Sequence, residues 1–139
     1  MRALVQRVSR ASVDVDGERV AAIGPGLLVL LGITHDDDPG VADRMADKLR
    51  ALRIFPGADG RMNEPLGARE VLCISQFTLY GDVRRGNRPA YVAAARPEVA
   101  EPLYERVCAR LGAARGRFGA HMEVALVNDG PVTVLVELP

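Results

Sequence analysis

The stretch Leu27–Ile33, reading LLVLLGI, constrains this 139-residue chain more than any other. A strand with one wet face alternates apolar and polar side chains. A run with no polar residue on either parity needs cover on both faces. It falls far short of the roughly 20 residues that a membrane crossing requires. Gly24-Pro25-Gly26 punctuates its start, and Asp36-Asp37-Asp38-Pro39 follows its end. The run therefore reads as a short strand in the middle of a layered domain.

The flanking segments supply the layers. Ala3–Val8 and Ala11–Val15 lead to a turn at Asp16-Gly17 and return as Arg19–Ile23, a hairpin pattern. Asp38 suits a helix cap and Pro39 the first helical position, followed by Val41, Met45, Leu49 and Leu52 at helical spacing. Val71–Tyr80, VLCISQFTLY, reads as a second central strand. Pro97 opens another amphipathic helix carrying Val99, Leu103, Val107 and Leu111, and Gly112 ends it. Met122–Val127 and Val132–Leu138 read as two strands joined by a tight turn at Asn128-Asp129-Gly130-Pro131. No repeat or linker divides the chain, so residues 1–139 form one domain. The expected class is α+β: a largely antiparallel, barrel-like β-sheet with two main helices packed on one face.

Composition narrows the function. Formal net charge is zero, with 18 basic and 18 acidic residues. That argues against wrapping long nucleic acid, whose affinity comes from many phosphate contacts, but leaves room for gripping one RNA end. No signal-peptide pattern opens the chain, so the cytoplasm is the expected compartment. Cys73 and Cys108 have neither metal-ligand spacing nor a CxxC pattern and read as buried hydrophobes. The acidic triplet at 36–38 lacks the histidine or glutamate pattern of a metal site. His35 and His121 stand in no triad context, and there is no GxSxG elbow.

Three features are candidates for chemistry. Ser75-Gln76-Phe77-Thr78 places two hydroxyls and an amide at the end of an apolar strand, where backbone N–H groups can stabilise an oxyanion; the alternative is hydroxyls that merely satisfy the strand end. Arg84, Arg85 and Arg88 crowd one loop, as a phosphate grip or as an ordinary solvated loop. Gly130-Pro131 is either an ordinary tight turn at a sheet edge or, with a cis peptide bond, a stiff turn whose first residue has no side chain and whose backbone carbonyls can project together.

Together, SQFTLYGD (75–82) with RRGNRP and the near-terminal VNDGPVT closely resemble the D-aminoacyl-tRNA deacylase family. MRALVQRVSRASV, GPGLLVLLGITHDD, DKLRALRIF and AEPLYERV extend the likeness along essentially the whole chain in order. The resemblance implies an enzyme that hydrolyses the ester joining a D-amino acid, or mischarged glycine, to transfer RNA. It implies a homodimer with active sites at the interface, working on the acceptor end of aminoacyl-tRNA. No cofactor, metal, membrane or DNA is implied.

Carried over by motif, Ser75, Gln76, Phe77 and Thr78 line the pocket for the terminal adenosine and the scissile ester. Backbone donors at Phe77 and Thr78, with the 2′-hydroxyl of the substrate, stand in for a side-chain base. Phe118 and Met122 match positions near the pocket. Gly130 and Pro131, as the family's cis pair, reach into the partner's pocket and reject L-amino acids. Two departures stand out: the segment around residues 62–70 is short, and His121 occupies a position where a small or acidic residue is expected.

Overall fold

The continuous apolar run becomes β3 (Gly26–Gly32), in the middle of a six-stranded sheet, in a computed structural model that describes all 139 residues. On one side lies β1 (Arg2–Val15), antiparallel; on the other lies β6 (Glu70–Ser75), parallel, with Leu27 opposite Val71 and Leu31 opposite Ser75. Leu27, Val29 and Leu31 enter the larger core, which α1 (Pro39–Ala51) and α2 (Pro97–Leu111) cover. Leu28 enters a second core of seven buried residues. β6 repeats the division, with Val71 and Cys73 in the first core and Leu72 and Ile74 in the second. Neither strand alternates because neither has a wet face.

The second core exists because the sheet curls. β2 (Glu18–Ile23), at one end of the strand order, comes against β6 and β7 (Ala114–Arg115) at the other. The sheet is mixed: its longest pairings, those of β1, are antiparallel as expected, while β3, β6 and β7 run parallel. Parallel neighbours need long crossovers. Here the first crossover carries α1 and a small hairpin of β4 (Phe55–Pro56) and β5 (Met62–Glu64), and the second carries α2. Hydrophobic pattern finds such helices but does not reveal which way the next strand will run.

Both helices start and stop as their sequences dictate. The Asp38 carboxylate accepts from the Val41 N–H at 2.9 Å, with Pro39 in the first turn. Gly112 ends α2 with φ of 63°. On α2 the buried stripe is Ala100, Leu103, Tyr104, Val107, Cys108 and Leu111, while Val99 is exposed, so the helix is rotated from the expected face. Asp37 is buried and takes the Met1 ammonium at 3.0 Å and the Thr34 N–H at 2.9 Å. Asp37 and Asp38 are thus both occupied by structural partners. No helix is long and apolar enough to cross a membrane.

The hairpin expected at Asn128–Thr133 is absent. Residues on both sides of Gly130-Pro131 belong to one strand, β8 (Glu123–Glu137), which pairs with β1 from Asp14↔Glu123 to Arg2↔Glu137. The pairing jumps from Val8↔Asn128 to Gln6↔Thr133, so residues 129–132 stand against Arg7 alone. This is an enlarged bulge, and a proline is tolerated where ladder bonds are interrupted. A β1 long enough to receive both arms leaves them no reason to pair with each other.

Candidate active site

β6 delivers the site. Its last residue, Ser75, is followed by Gln76, whose N–H still donates to Leu31 O at 2.8 Å. The chain then leaves the sheet. Phe77–Tyr80 form a 3₁₀ turn, not the continuation of the strand that their apolar side chains suggest. The first bond of this turn runs from Leu79 N–H to Gln76 O at 3.2 Å. The N–H groups of Phe77 and Thr78 precede that bond and lack partners within the turn, as at any helical start.

The turn is held closely against β3. A Cβ on Gly32 would lie 3.0 Å from the Leu79 Cβ and 3.2 Å from Gln76 O, so glycine permits this approach. Arg2 Nη1 donates to Leu79 O at 2.8 Å, and its guanidinium lies 4.5 Å from the centre of the Tyr80 ring. Burial pushes the Tyr80 phenol up to about 12, which keeps it neutral under ordinary conditions. Gln76 Nε2 donates to the hydroxyl of Thr78, linking the two polar side chains at the head of the turn.

A cleft of about 560 Å³ opens beside this turn. Ser75, Gln76 and Phe77 line it with Phe118, Met122 and the 91–100 segment. Eleven of its 16 lining residues are hydrophobic, so a ligand would be held mainly by shape and apolar contact. The lining includes no carboxylate, and Tyr91 and His121 are its only ionisable residues. His35, the other imidazole, is outside it and engages Val92 O at 2.5 Å.

Five of the residues expected from sequence therefore meet in one place: Ser75, Gln76, Phe77, Phe118 and Met122. Thr78 is exposed at the edge and does not line the cleft. Gly130 and Pro131 are exposed and do not line it either. Their peptide bond is cis, and Gly130 has φ of 139°, where L side chains are disfavoured. A Cβ there would lie 2.6 Å from Val132 Cγ2.

The bulge carrying them is pinned from both sides. Asn128 Nδ2 donates to Arg7 O at 2.9 Å and to Val132 O at 3.1 Å, closing its base. Arg7 Nε donates to Asp129 O at 3.1 Å, and Arg7 Nη1 donates to Ile54 O at 2.7 Å. Sequence reasoning misses Arg7, because nothing local marks one arginine in a strand as the partner of a turn more than a hundred residues away.

Arg84 and Arg85 border a separate crevice with Asp82 and Ala90. Arg84 is already engaged by Asp82 through Nε at 2.9 Å and Nη2 at 2.6 Å, which lowers the Asp82 carboxyl to about 2. Arg85 and Arg88 are exposed and make no ion pair. Cys73 and Cys108 are both buried, and the neighbouring thiol together with burial pushes the Cys73 thiol up, away from reactivity.

The fold and cleft define an α+β protein with a mixed near-barrel sheet and one apolar pocket at the end of a central strand. Residues 4–137 match the family model described as D-Tyr-tRNA(Tyr) deacylase. A D-aminoacyl-tRNA deacylase of Symbiobacterium thermophilum is 56% identical over 144 residues, covering 99% of this chain and 95% of its own. One from Mycolicibacterium smegmatis is 56% identical, covering 99% of this chain and 100% of its own. Among solved structures, one described as c-Myc DNA Unwinding Element Binding Protein superimposes with a TM-score of 0.92 at 41% identity, covering 100% of this chain and 99% of that one. A probable eukaryotic D-amino acid tRNA deacylase shares the fold, with a TM-score of 0.85 at 16% identity over 99% of this chain and 98% of that one. The chain belongs to the D-aminoacyl-tRNA deacylase family, a family of hydrolases.

Proposed function

We propose that this chain hydrolyses the ester of D-aminoacyl-tRNA, and of mischarged glycyl-tRNA, while sparing L-aminoacyl-tRNA. The observation that carries the reading is the cleft itself: a mainly apolar chamber, opening on Ser75–Phe77, that offers no carboxylate base and has Tyr91 and His121 as its only ionisable side chains. Such a site suits a reaction in which the substrate brings its own proton carrier. Water adds to the ester carbonyl, and the N–H groups of Phe77 and Thr78 stabilise the oxygen that becomes negative. The carbon–oxygen bond to the ribose then breaks. The departing ribose oxygen takes the proton that the attacking water gives up, relayed through the neighbouring 2′-hydroxyl of the terminal ribose. Thr78 supports this end of the site through its contact with Gln76.

Selectivity comes from a second copy of the chain. The Gly130-Pro131 bulge lies outside the cleft of its own subunit, so a role at the site requires presentation to another. β8 is an edge strand paired only with β1, and Leu126, Val127 and Leu135 are exposed along it. Long exposed apolar edges are what associating chains cover. In the dimer, rigid backbone carbonyls of the bulge hold the α-amino group and leave no room for a side chain in the L direction. Every D side chain, and glycine, escapes that clash. The enzyme acts on the acceptor end of tRNA in the cytoplasm, with Arg85 and Arg88 as the arginines free to meet phosphate.

Matched D- and L-aminoacyl-tRNA carrying the same amino acid test the reading by ester loss. Rapid hydrolysis of the D ester alone is expected. Equal hydrolysis of both would remove the chirality argument, and hydrolysis of neither would favour a noncatalytic binder. Thr78→Ala is expected to lower kcat about tenfold without abolishing activity, less than the roughly hundred- to thousandfold cost of losing an oxyanion donor, because the backbone N–H remains and only the hydroxyl's contact with Gln76 is lost. Complete loss with intact folding and tRNA binding would make Thr78 the nucleophile instead.

A further inference from the structure

The chain has three phenylalanines, three tyrosines and no tryptophan, and four of these six rings are buried or half-buried. The two exposed rings, Phe77 and Tyr91, stand together at the mouth of the cleft. Their centroids are 5.1 Å apart and their planes meet at 72°, so the edge of one ring packs on the face of the other. Phe77 is 56% exposed and Tyr91 40% exposed, which leaves aromatic surface facing solvent at the entrance.

Tyr91 is held in place from several directions. A Cβ on Gly81 would lie 3.0 Å from Tyr91 Cε1, so the ring packs on bare backbone there. On its N-terminal side, Asp82 and Ala90 exchange backbone bonds at 2.8 and 2.9 Å. On its C-terminal side, Thr34 Oγ1 donates to Ala93 O at 2.5 Å, His35 Nε2 engages Val92 O at 2.5 Å, and Ala95 N–H donates to Ile33 O at 2.9 Å. A segment bolted this firmly to the end of β3 presents a ring that is ordered before any ligand arrives.

Tyr91 also stands where two surfaces adjoin along the chain: it lines the apolar cleft, and its neighbour Ala90 lines the crevice bordered by Arg84 and Arg85. Arg84 is neutralised by Asp82, but Arg85 is not paired. A preset aromatic face followed by an unpaired arginine is the arrangement that receives a single-stranded nucleotide, with the base on the ring and the phosphate beyond it.

We propose that Tyr91 is a stacking platform for the base of the nucleotide immediately preceding the terminal adenosine, whose phosphate is directed toward Arg85. The inference rests on the deacylase reading and extends it from the aminoacyl-adenosine pocket to the next unit of the single strand. A second copy of the chain is the competing occupant of this exposed face; the unpaired Arg85 of the adjoining crevice favours the nucleotide.

The experiment compares wild type, Tyr91→Ala and Tyr91→Phe on two substrates bearing the same D-amino acid: full D-aminoacyl-tRNA, and the D-aminoacyl ester of adenosine alone. One base stack is worth about tenfold in binding. Tyr91→Ala is therefore expected to raise KM for the tRNA ester about tenfold, at least about fivefold more than for the adenosine ester, with Tyr91→Phe restoring both. An equal rise on the two esters, or no rise on the tRNA ester, overturns the proposal. So does a KM rise that accompanies dissociation of the alanine variant in sedimentation, which would make Tyr91 a subunit contact. If wild type hydrolyses neither ester, the deacylase reading fails by itself. Titration with uncharged CCA trinucleotide against adenosine then decides the subsite: tighter trinucleotide binding that Tyr91→Ala removes supports it, and equal binding sinks it.

Discussion

The end of β6 and the bulge of β8 are both short polar interruptions of apolar strands, yet they are built in opposite ways. Ser75–Thr78 stands on the molecule's own core: β3 lies beneath it, Gly32 admits it, and the cleft that Ser75, Gln76 and Phe77 line is formed within one chain. The Gly130-Pro131 bulge stands on nothing but its own strand pair and Arg7, and it faces solvent. On the function proposed above, the first region is a pocket wall and the second a probe without a pocket, so that chemistry is held within one chain and selectivity is completed only by association.

Substitutions separate the two halves, and the largest effect is expected at the probe. Gly130→Ala introduces a Cβ 2.6 Å from Val132 and demands an unfavourable backbone angle. It is expected to lower D-aminoacyl-tRNA hydrolysis about a hundredfold, the usual cost of misplacing a positioning group by about 1 Å, while circular dichroism stays that of the wild type. Full activity in this variant would detach the bulge from the site.

Arg7→Ala comes next. Loss of the bonds to Asp129 O and Ile54 O frees the bulge without touching the cleft. Hydrolysis of the D ester is expected to fall about tenfold and the ratio of D to L hydrolysis to narrow, because a loosened probe tests handedness poorly. Arg7→Lys keeps the charge but not the forked geometry and should rescue little. Unchanged discrimination in both variants would assign the selectivity to the cleft walls.

A smaller effect is expected at the arginine loop proposed to meet tRNA phosphate. Replacing Arg85 and Arg88 by alanine should raise KM for D-aminoacyl-tRNA several-fold. The slope of its salt dependence should fall by about one unit for each phosphate that is no longer neutralised. Adding Arg84→Ala should contribute little more, since Asp82 already occupies that guanidinium. Equal effects from all three arginines would contradict this ordering.

Legibility in the sequence follows the same division. The cleft side is readable because its residues are contiguous: SQF is one word in the sequence, and the helix that roofs it announces itself by periodicity. Even so, local pattern carries the strand on to Tyr80. Phe77, Leu79 and Tyr80 are good strand residues, and only packing against Gly32 and Arg2 turns them into a 3₁₀ turn. Tyr91 and the segment from Ala94 to Ala100 have no local mark, since their role comes from being fastened to the end of β3.

The bulge is readable as stiff and special, but local rules put it in the wrong element. Asn-Asp-Gly between two apolar runs is a hairpin signal, and such rules do not see that β1 is long enough to pair with both runs. The sheet direction escapes for the same reason. β3 and β6 are recognisable as doubly covered strands, but their parallel pairing is set by the path of α1 between them.

By itself the sequence determined that β3 and β6 are covered on both faces and where the helices begin and end, and it marked two short words as candidates for chemistry. These depend on side-chain polarity and backbone freedom, which act within a few residues. Tertiary structure alone decided that one strand continues through Gly130-Pro131, that Arg7 holds that bulge, and that the bulge stands outside its own cleft. Those outcomes arise from pairings between segments at opposite ends of the chain, such as Arg7 with Asp129, whose partners no local preference can name.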